Sequence, residues 1–520
     1  MISKPSMTSS SLSPPEKSTF KRQVFHGTFI HCKSLTELEI LPDTYVFVDE
    51  YGVIVKILSG DGVGAGGPKD LREHVGELGW DTDVDGEGGA FEYVGSSKDE
   101  HGKHGEERFF FPGFIDTHIH APQFPNSGLF GSSTLLNWLN TYTFPLEASL
   151  SALPKAHAIY SRVIQRTLSH GTTTAAYYAT IHVESTNLLA DLCLQKGQRA
   201  LVGRCCMDSD SGANPDYYRD DDSAQSLERT KKCISHCENI DPDRKLITPI
   251  LTPRFAPSCT PQLMSSLGEI AVQKDLPIQT HISENRSEIE WVKELFSDCD
   301  SYTHVYDKYS CLTPKTILAH AVHIGEDEAA LIKERGSGIA HCPVSNSALT
   351  SGMARVRWMI DRGLNVGLGT DVSGGFSASV LAAAREASCV SRCVAAGIGG
   401  SENTNGKEGD TLSVPEVLYL ATRGGAKVVG MEDKIGGFEV GKVWDAQLIG
   451  LGKPLMHLNG EGEWEGQEEI HEGEVSQTGP VDIFGWENWD EKVAKWVFNG
   501  DDRNTMKVWV NGRLVHQRRN

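Results

Sequence analysis

No run of apolar residues in the chain approaches the ~20 that a membrane-spanning helix needs, so the sequence offers no transmembrane segment. Basic residues are also in deficit. With 49 Lys and Arg against 70 Asp and Glu, the formal net charge is −21, and such a surface repels nucleic-acid phosphates and anionic membranes. Nucleic acid, membrane and polyanionic substrates are therefore disfavoured as partners. A cysteine framework is missing too: twelve cysteines are scattered through the chain, Cys205 and Cys206 are adjacent, and Cys233 and Cys237 lie four apart with no matching pair downstream. They read as reduced thiols, neither disulfides nor thiolate metal ligands. Residues 1–19 are rich in Ser and Pro and lack the apolar core of a secretory signal, which makes a disordered tail on a cytoplasmic protein the expectation.

What is present suits one large domain and a smaller one: 520 residues, 39% of them hydrophobic. Residues 20–111 open with short β-rich runs, Gln23–His31, Thr44–Asp49 and Gly52–Ile57, and continue into a stretch from about 59 to 107 dominated by Gly, Asp, Glu and Lys. That stretch is expected to be a flexible insertion with at most a short helix over Leu71–Leu78. From 112 to 435, apolar and β-branched runs alternate with helical patterns. The runs begin at Phe114, Thr172, Ala200, Ile247, Pro277, Thr316, Gly338 and Asn365, and eight strand–helix repeats predict a closed (β/α)8 barrel. Residues 436–520, with a second acidic, Gly-rich insertion over about 452–482, hold further strands and a final hairpin turning at Asn511–Gly512. These are expected to complete the N-terminal sheet as a discontinuous β domain.

The most informative motif is His118-Ile119-His120, because alternation along a strand turns both imidazoles to one side. That is half of a metal site. His281, His320 and Asp371 follow at the ends of the fifth, sixth and eighth runs, and chemistry in such barrels sits where strands end. Two of them have a structural alternative: His320 as a packed core histidine, Asp371 as a cap for the helix after Gly374-Gly375. Glu284, three residues after His281, fits a non-ligand proton shuttle, or a helix N-terminal acid favoured by the dipole. His341 lies near the same mouth with no required metal role.

Phe111-Pro-Gly-Phe-Ile-Asp-Thr-His-Ile-His-Ala-Pro-Gln123, Leu136-Asn-Trp-Leu-Asn-Thr-Tyr-Thr-Phe-Pro145, Thr252-Pro-Arg-Phe255, Gln279-Thr-His-Ile-Ser-Glu-Asn-Arg286, Ala340-His-Cys-Pro343, Gly367-Leu-Gly-Thr-Asp-Val-Ser-Gly-Gly375 and Gly500-Asp-Asp-Arg-Asn504 together resemble the amidohydrolase superfamily, and within it the guanine deaminase family. The resemblance runs from about 110 to 450, resumes near 483, and is absent from the two insertions and the tail. It implies a metal-dependent TIM barrel with a small discontinuous β-sandwich domain. It further implies one Zn²⁺ per subunit held by His118, His120, His281 and Asp371, with His320 beside a bound water. The donor set alone leaves iron open, while the absence of Lys from Ile247 to Arg254 favours one metal over two. Glu284 is implied as the shuttle, with Asp371 and His320 managing the water's proton. The implied reaction converts guanine, water and no other co-substrate into xanthine and ammonia, in a homodimer serving purine catabolism or salvage.

For the substrate, the resemblance implies Gln123, Arg254 and Phe255 alongside His281, Glu284 and Asp371. An Arg fork and a carboxamide suit a purine's O6 and N7 acceptors, and a phenyl ring borders its face. The alternatives are a loop amide, a carboxylate-paired cation and a core ring, respectively, while Trp138 and Leu139 line a pocket or merely form an amphipathic helix. Two competing readings of function stay open on the residues alone. One keeps the metal site but takes another amino- or chloro-substituted heterocycle, such as 8-oxoguanine, a triazine or S-adenosylhomocysteine. The other is a barrel scaffold without activity, whose expected mark, a missing ligand or a missing Glu284, is not found.

Overall fold

A computed structural model describes residues 21–60, 71–80, 91–94, 107–131, 135–398, 408–458, 463–466 and 480–518. The Ser/Pro tail and most of both insertions lie outside the described residues. The barrel strands are Phe114–His120, Thr172–Tyr178, Arg199–Gly203, Ile247–Pro249, Ile278–Ile282, Thr316–His320, Gly338–His341 and Asn365–Leu368. They coincide with the runs read from the sequence. The first four form one parallel ladder and the last four another.

Main-chain hydrogen bonds join the two ladders at both seams. Leu251 N donates to Pro277 O and Gln279 N to Leu251 O, each at 2.9 Å, while Asp371 N donates to His118 O at 2.8 Å and His120 N to Val372 O at 3.1 Å. The strands are almost wholly buried, as expected where helices cover a parallel sheet. Closing the last strand against the first places Asp371 beside the His-x-His motif. A ring of distant sequence positions is thereby set at one end of the barrel.

Capping decides where the flanking helices begin, and so which residues are left for the mouth. Ser379 caps Val380–Ala395 by accepting from Ala382 N, so that helix has its own cap and leaves Asp371 free of the task. Asn285 and Glu288 cap Arg286–Leu295 reciprocally. Glu284 falls two residues before this helix, outside its capping box, so it is not needed to cap it.

The smaller layer is one eight-stranded mixed sheet combining Arg22–Cys32, Leu38–Val48, Ile54–Ser59, Phe91–Val94 and Glu107–Pro112 with Ala446–Gly452, Thr505–Val510 and Arg513–Gln517. Segments from both ends of the chain thus share it. Its centre is aromatic: Phe25 stacks on Trp444 at 4.2 Å and Phe29 on Phe110 at 4.8 Å. Asn511 and Gly512 have φ of 50° and 77°, the paired positive values of a tight hairpin turn. The short helix of the first insertion is present as Leu71–Glu77. Phe91–Val94 was not anticipated, because four residues flanked by Gly and acids carry little pattern; it gains its form by pairing in parallel with Arg22–Phe25.

A buried ion pair ties sheet to barrel. Arg199, at the start of the third barrel strand, donates to Asp445, which also accepts from Asn511 N at 2.8 Å. Asp445→Ala leaves a buried guanidinium without its counter-charge and should cost about 3–5 kcal/mol in urea unfolding. Lys33→Ala, which breaks the exposed pair with Glu37, should leave the midpoint in place. Equal behaviour of the two variants would show that the buried pair does not hold the layers together.

Candidate metal centre and active site

His118, His120, His281 and Asp371 offer ligand atoms that all lie within 4.8 Å of one another. Asp371 Oδ1 is 3.1 Å from His118 Nε2 and 3.4 Å from His120 Nε2, and the Nε2 atoms of His120 and His281 approach to 3.2 Å. Burial pushes all three imidazoles below their ordinary pKa, which favours the neutral form that has a lone pair to give. His281 Nδ1 donates to Arg254 O at 2.6 Å, which fixes its proton on the far side and turns Nε2 toward the cluster. Both ring nitrogens of His118 and Nδ1 of His120 have no hydrogen-bond partner among the described residues. Buried nitrogens facing one another and a carboxylate are the donor set of a divalent cation, and they fit one.

The backbone delivers these groups by sharp turns. Ser283, His320, Ala321 and Asp371, all at strand ends, have φ of 47°, 73°, 50° and 46°, a region that residues other than glycine seldom adopt. Beneath them, Asp116 accepts from Thr370 N at 3.0 Å, Thr370 Oγ1 at 2.6 Å and His118 N at 3.3 Å. Its carboxyl, pushed up to about 7 by burial, laces the first strand to the eighth.

Glu284 and His320 face each other beside the cluster. Glu284 Oε2 is 3.5 Å from His320 Nε2, and its Oε1 accepts from Ser351 Oγ at 3.0 Å. Burial pushes the Glu284 carboxyl up to about 7, where a carboxyl both takes and gives a proton near neutrality. Burial opposes a charged His320, but Glu284 and Asp371 outweigh it and hold the imidazole above its usual pKa. Burial likewise opposes charge on Asp371, yet His118 and His320 keep it well below the ordinary carboxylate range. His320 Nδ1 meets Asn346 Oδ1 at 2.9 Å, which orients the ring. His341 is buried nearby with its pKa pushed down to about 3 by burial, a neutral neighbour outside the four-residue cluster.

A cavity lined by His120, His281, Glu284, His320 and Asp371 together with Gln123, Leu135, Trp138, Leu139, Arg254 and Phe255 opens at these groups, with about 430 Å³ of space counted out to its open mouth. Phe255 is 5% exposed and stands edge-on to Trp291. Arg254 does carry a carboxylate partner, Glu147, at 2.7 Å, and it also lines the cavity. Trp138 and Leu139 line it as well, so both halves of their reading hold. Pro145 lacks a main-chain donor, and the helix widens to a π turn over Leu139–Thr143 just before it; Glu147 follows, directed inward and fully buried.

Glu147, Asp116, Asn346 and Ser351 were not singled out from the sequence. For Glu147 a signal existed, since it lies two residues beyond the Leu136–Pro145 motif and a buried arginine demands an acid. Asp116 stood within its motif without a role. Asn346 and Ser351 gave no warning, because an amide or hydroxyl in a loop has no pattern of its own.

Comparison with known proteins identifies the family. The Amidohydrolase family matches residues 109–515. A probable guanine deaminase of Schizosaccharomyces pombe is 50% identical over 408 residues, 78% of this chain and 71% of that protein. The guanine deaminase of Dictyostelium discoideum is 37% identical over 95% of this chain and 98% of its own length. Among solved structures, a guanine deaminase from C. acetobutylicum with guanine bound in its active site superposes with a TM-score of 0.76 at 30% identity, over 95% of this chain and all of that one. The chain belongs to the amidohydrolase family.

Proposed function

We propose that this protein hydrolyses guanine to xanthine and ammonia. The observation that carries the reading is the placement of Glu284: a buried acid that the metal cluster does not use, set beside the cluster and open to a cavity that Arg254 and Gln123 also line. Relatives 36–37% identical over 95% of the chain are guanine deaminases. We assign one zinc ion per subunit to His118, His120, His281 and Asp371, since three neutral imidazoles and one carboxylate suit zinc. From the same resemblance we infer a cytoplasmic homodimer working in purine catabolism or salvage; among the described residues no helix is long and apolar enough to cross a membrane.

When bound, the cation supplies Lewis acidity and brings a water's pKa to ~7. Arg254 and Gln123 donate to the carbonyl edge of the purine, and Phe255 borders its face, so that C2 is turned toward the cluster. Glu284 takes a proton from the attacking water and passes it to a ring nitrogen. That transfer makes C2 a better electrophile. Asp371, ionised, accepts the remaining proton as oxygen bonds to C2, and His320 stabilises the charge that develops on the adduct. The proton held by Asp371 is then handed to the amino nitrogen, the bond from C2 to that exocyclic nitrogen breaks as the C2–O bond becomes a carbonyl, and ammonia leaves.

Purified protein incubated with guanine should release xanthine and ammonia in equal amounts. Preference for another ring, or zinc-loaded protein that leaves every ring intact, would retire the reading. Removing the metal with a chelator should abolish turnover, and zinc should restore it; His118→Ala and Asp371→Asn should lower metal content as measured by elemental analysis. Glu284→Gln should keep the metal while kcat falls by about 10²–10⁴-fold. Near-normal turnover in that variant would remove Glu284 from the proton path.

A further inference from the structure

Arg254 and Gln123 share one buried carboxylate that belongs neither to a strand end nor to the metal cluster. Glu147 Oε2 accepts from Arg254 Nη1 at 2.7 Å and from the Tyr218 hydroxyl at 2.8 Å, while Oε1 accepts from Gln123 Nε2 at 2.8 Å and Arg254 Nη2 at 3.2 Å. Gln123 Oε1 in turn accepts from Ser373 N at 3.3 Å. Rotating that amide by half a turn would set its oxygen against a carboxylate and its NH₂ against an N–H. One orientation is therefore imposed. The guanidinium is held flat as well, lying 5.1 Å from the centre of the Phe144 ring.

We propose that Glu147 is a positioning residue that sets the ring preference of the cavity, fixing Arg254 and Gln123 so that the recognition wall presents N–H donors and selects a 6-oxo purine over its 6-amino counterpart. The proposal rests on the guanine reading above. A guanidinium has donors and no acceptor, and the Gln123 amide has its oxygen engaged by Ser373 and one N–H engaged by Glu147. The groups left for a ligand are the remaining N–H bonds. A purine whose six-position is a carbonyl meets them with O6 and N7 acceptors, whereas a six-position amine sets donor against donor. A wall of this kind discriminates strongly, because the wrong ring leaves buried polar groups unpaired. Glu147 also cancels the charge of Arg254, which suits an uncharged ring over an anionic ligand.

The test compares guanine with 2,6-diaminopurine, which keeps the 2-amino group and replaces O6 by an amine. Steady-state kinetics on the full-length zinc-loaded wild type, Glu147→Gln and Tyr218→Phe are read together with metal content. Glu147→Gln is expected to raise KM for guanine by roughly 100-fold with kcat within about 10-fold, and to narrow the guanine preference at least ~10-fold at unchanged metal content. Tyr218→Phe, which spares the ion pair, should raise KM a few fold, about the loss of one hydrogen bond. An unchanged preference in Glu147→Gln, or a joint fall of kcat and metal content, overturns the proposal; if that variant does not fold, an unchanged KM in Tyr218→Phe does so. A wild type inactive on guanine refutes the guanine reading itself. An active wild type with an unmoved preference refutes only the role of Glu147.

Discussion

Buried lone pairs facing one another are the constraint on which this structure turns. Three imidazoles and a carboxylate, with ligand atoms no more than 4.8 Å apart and only His281 partly exposed, are withdrawn from water, and burial lowers the pKa of the imidazoles. Such an arrangement is costly unless a cation satisfies it. The barrel supports it by rigidity. The closing hydrogen bonds between the eighth and first strands fix His118, His120 and Asp371 against one another, and Asp116 locks the same seam from below.

Protonation at the rim follows from position. Glu284 and Asp371 are both buried carboxylates, yet burial dominates the first and neighbouring imidazoles dominate the second, so their affinities for a proton are driven apart. That separation gives one group a proton to carry and leaves the other ionised beside the cluster. His320 stands between them, its ring oriented by Asn346. In the proposed mechanism three titratable groups thereby acquire three different tasks without any special residue type.

The barrel and its strand-end residues were legible because their signals are local and periodic: an alternating His-x-His, short β-branched runs, and turns at fixed offsets. Helix starts were less so. The capping box at Asn285 and Glu288 explains, after the fact, why Glu284 is left over for the mouth, and Ser379 why Asp371 is. Phe91–Val94 escaped notice because its form depends on pairing with Arg22–Phe25, a distant segment. Glu147 escaped for the same reason. Its meaning lies in what it touches, Arg254 more than a hundred positions later, and spacing along the chain records nothing of that.

The two halves of the cavity are built from different parts of the fold, and this difference has a physical consequence. The cluster is set by strand ends and their closing ladder, where any displacement disturbs main-chain hydrogen bonds around the barrel. The opposite wall comes partly from the segment Leu135–Ala148, a helix interrupted by a π turn and tied down by side chains: Glu147 to Arg254, Gln123 and Tyr218, and Trp138 Nε1 to Leu129 O. Side-chain ties can be exchanged without opening the barrel. On the proposed roles, a change in that segment alters which ring is accepted while leaving the metal cluster intact, whereas a change at the strand ends removes the cluster and the chemistry together.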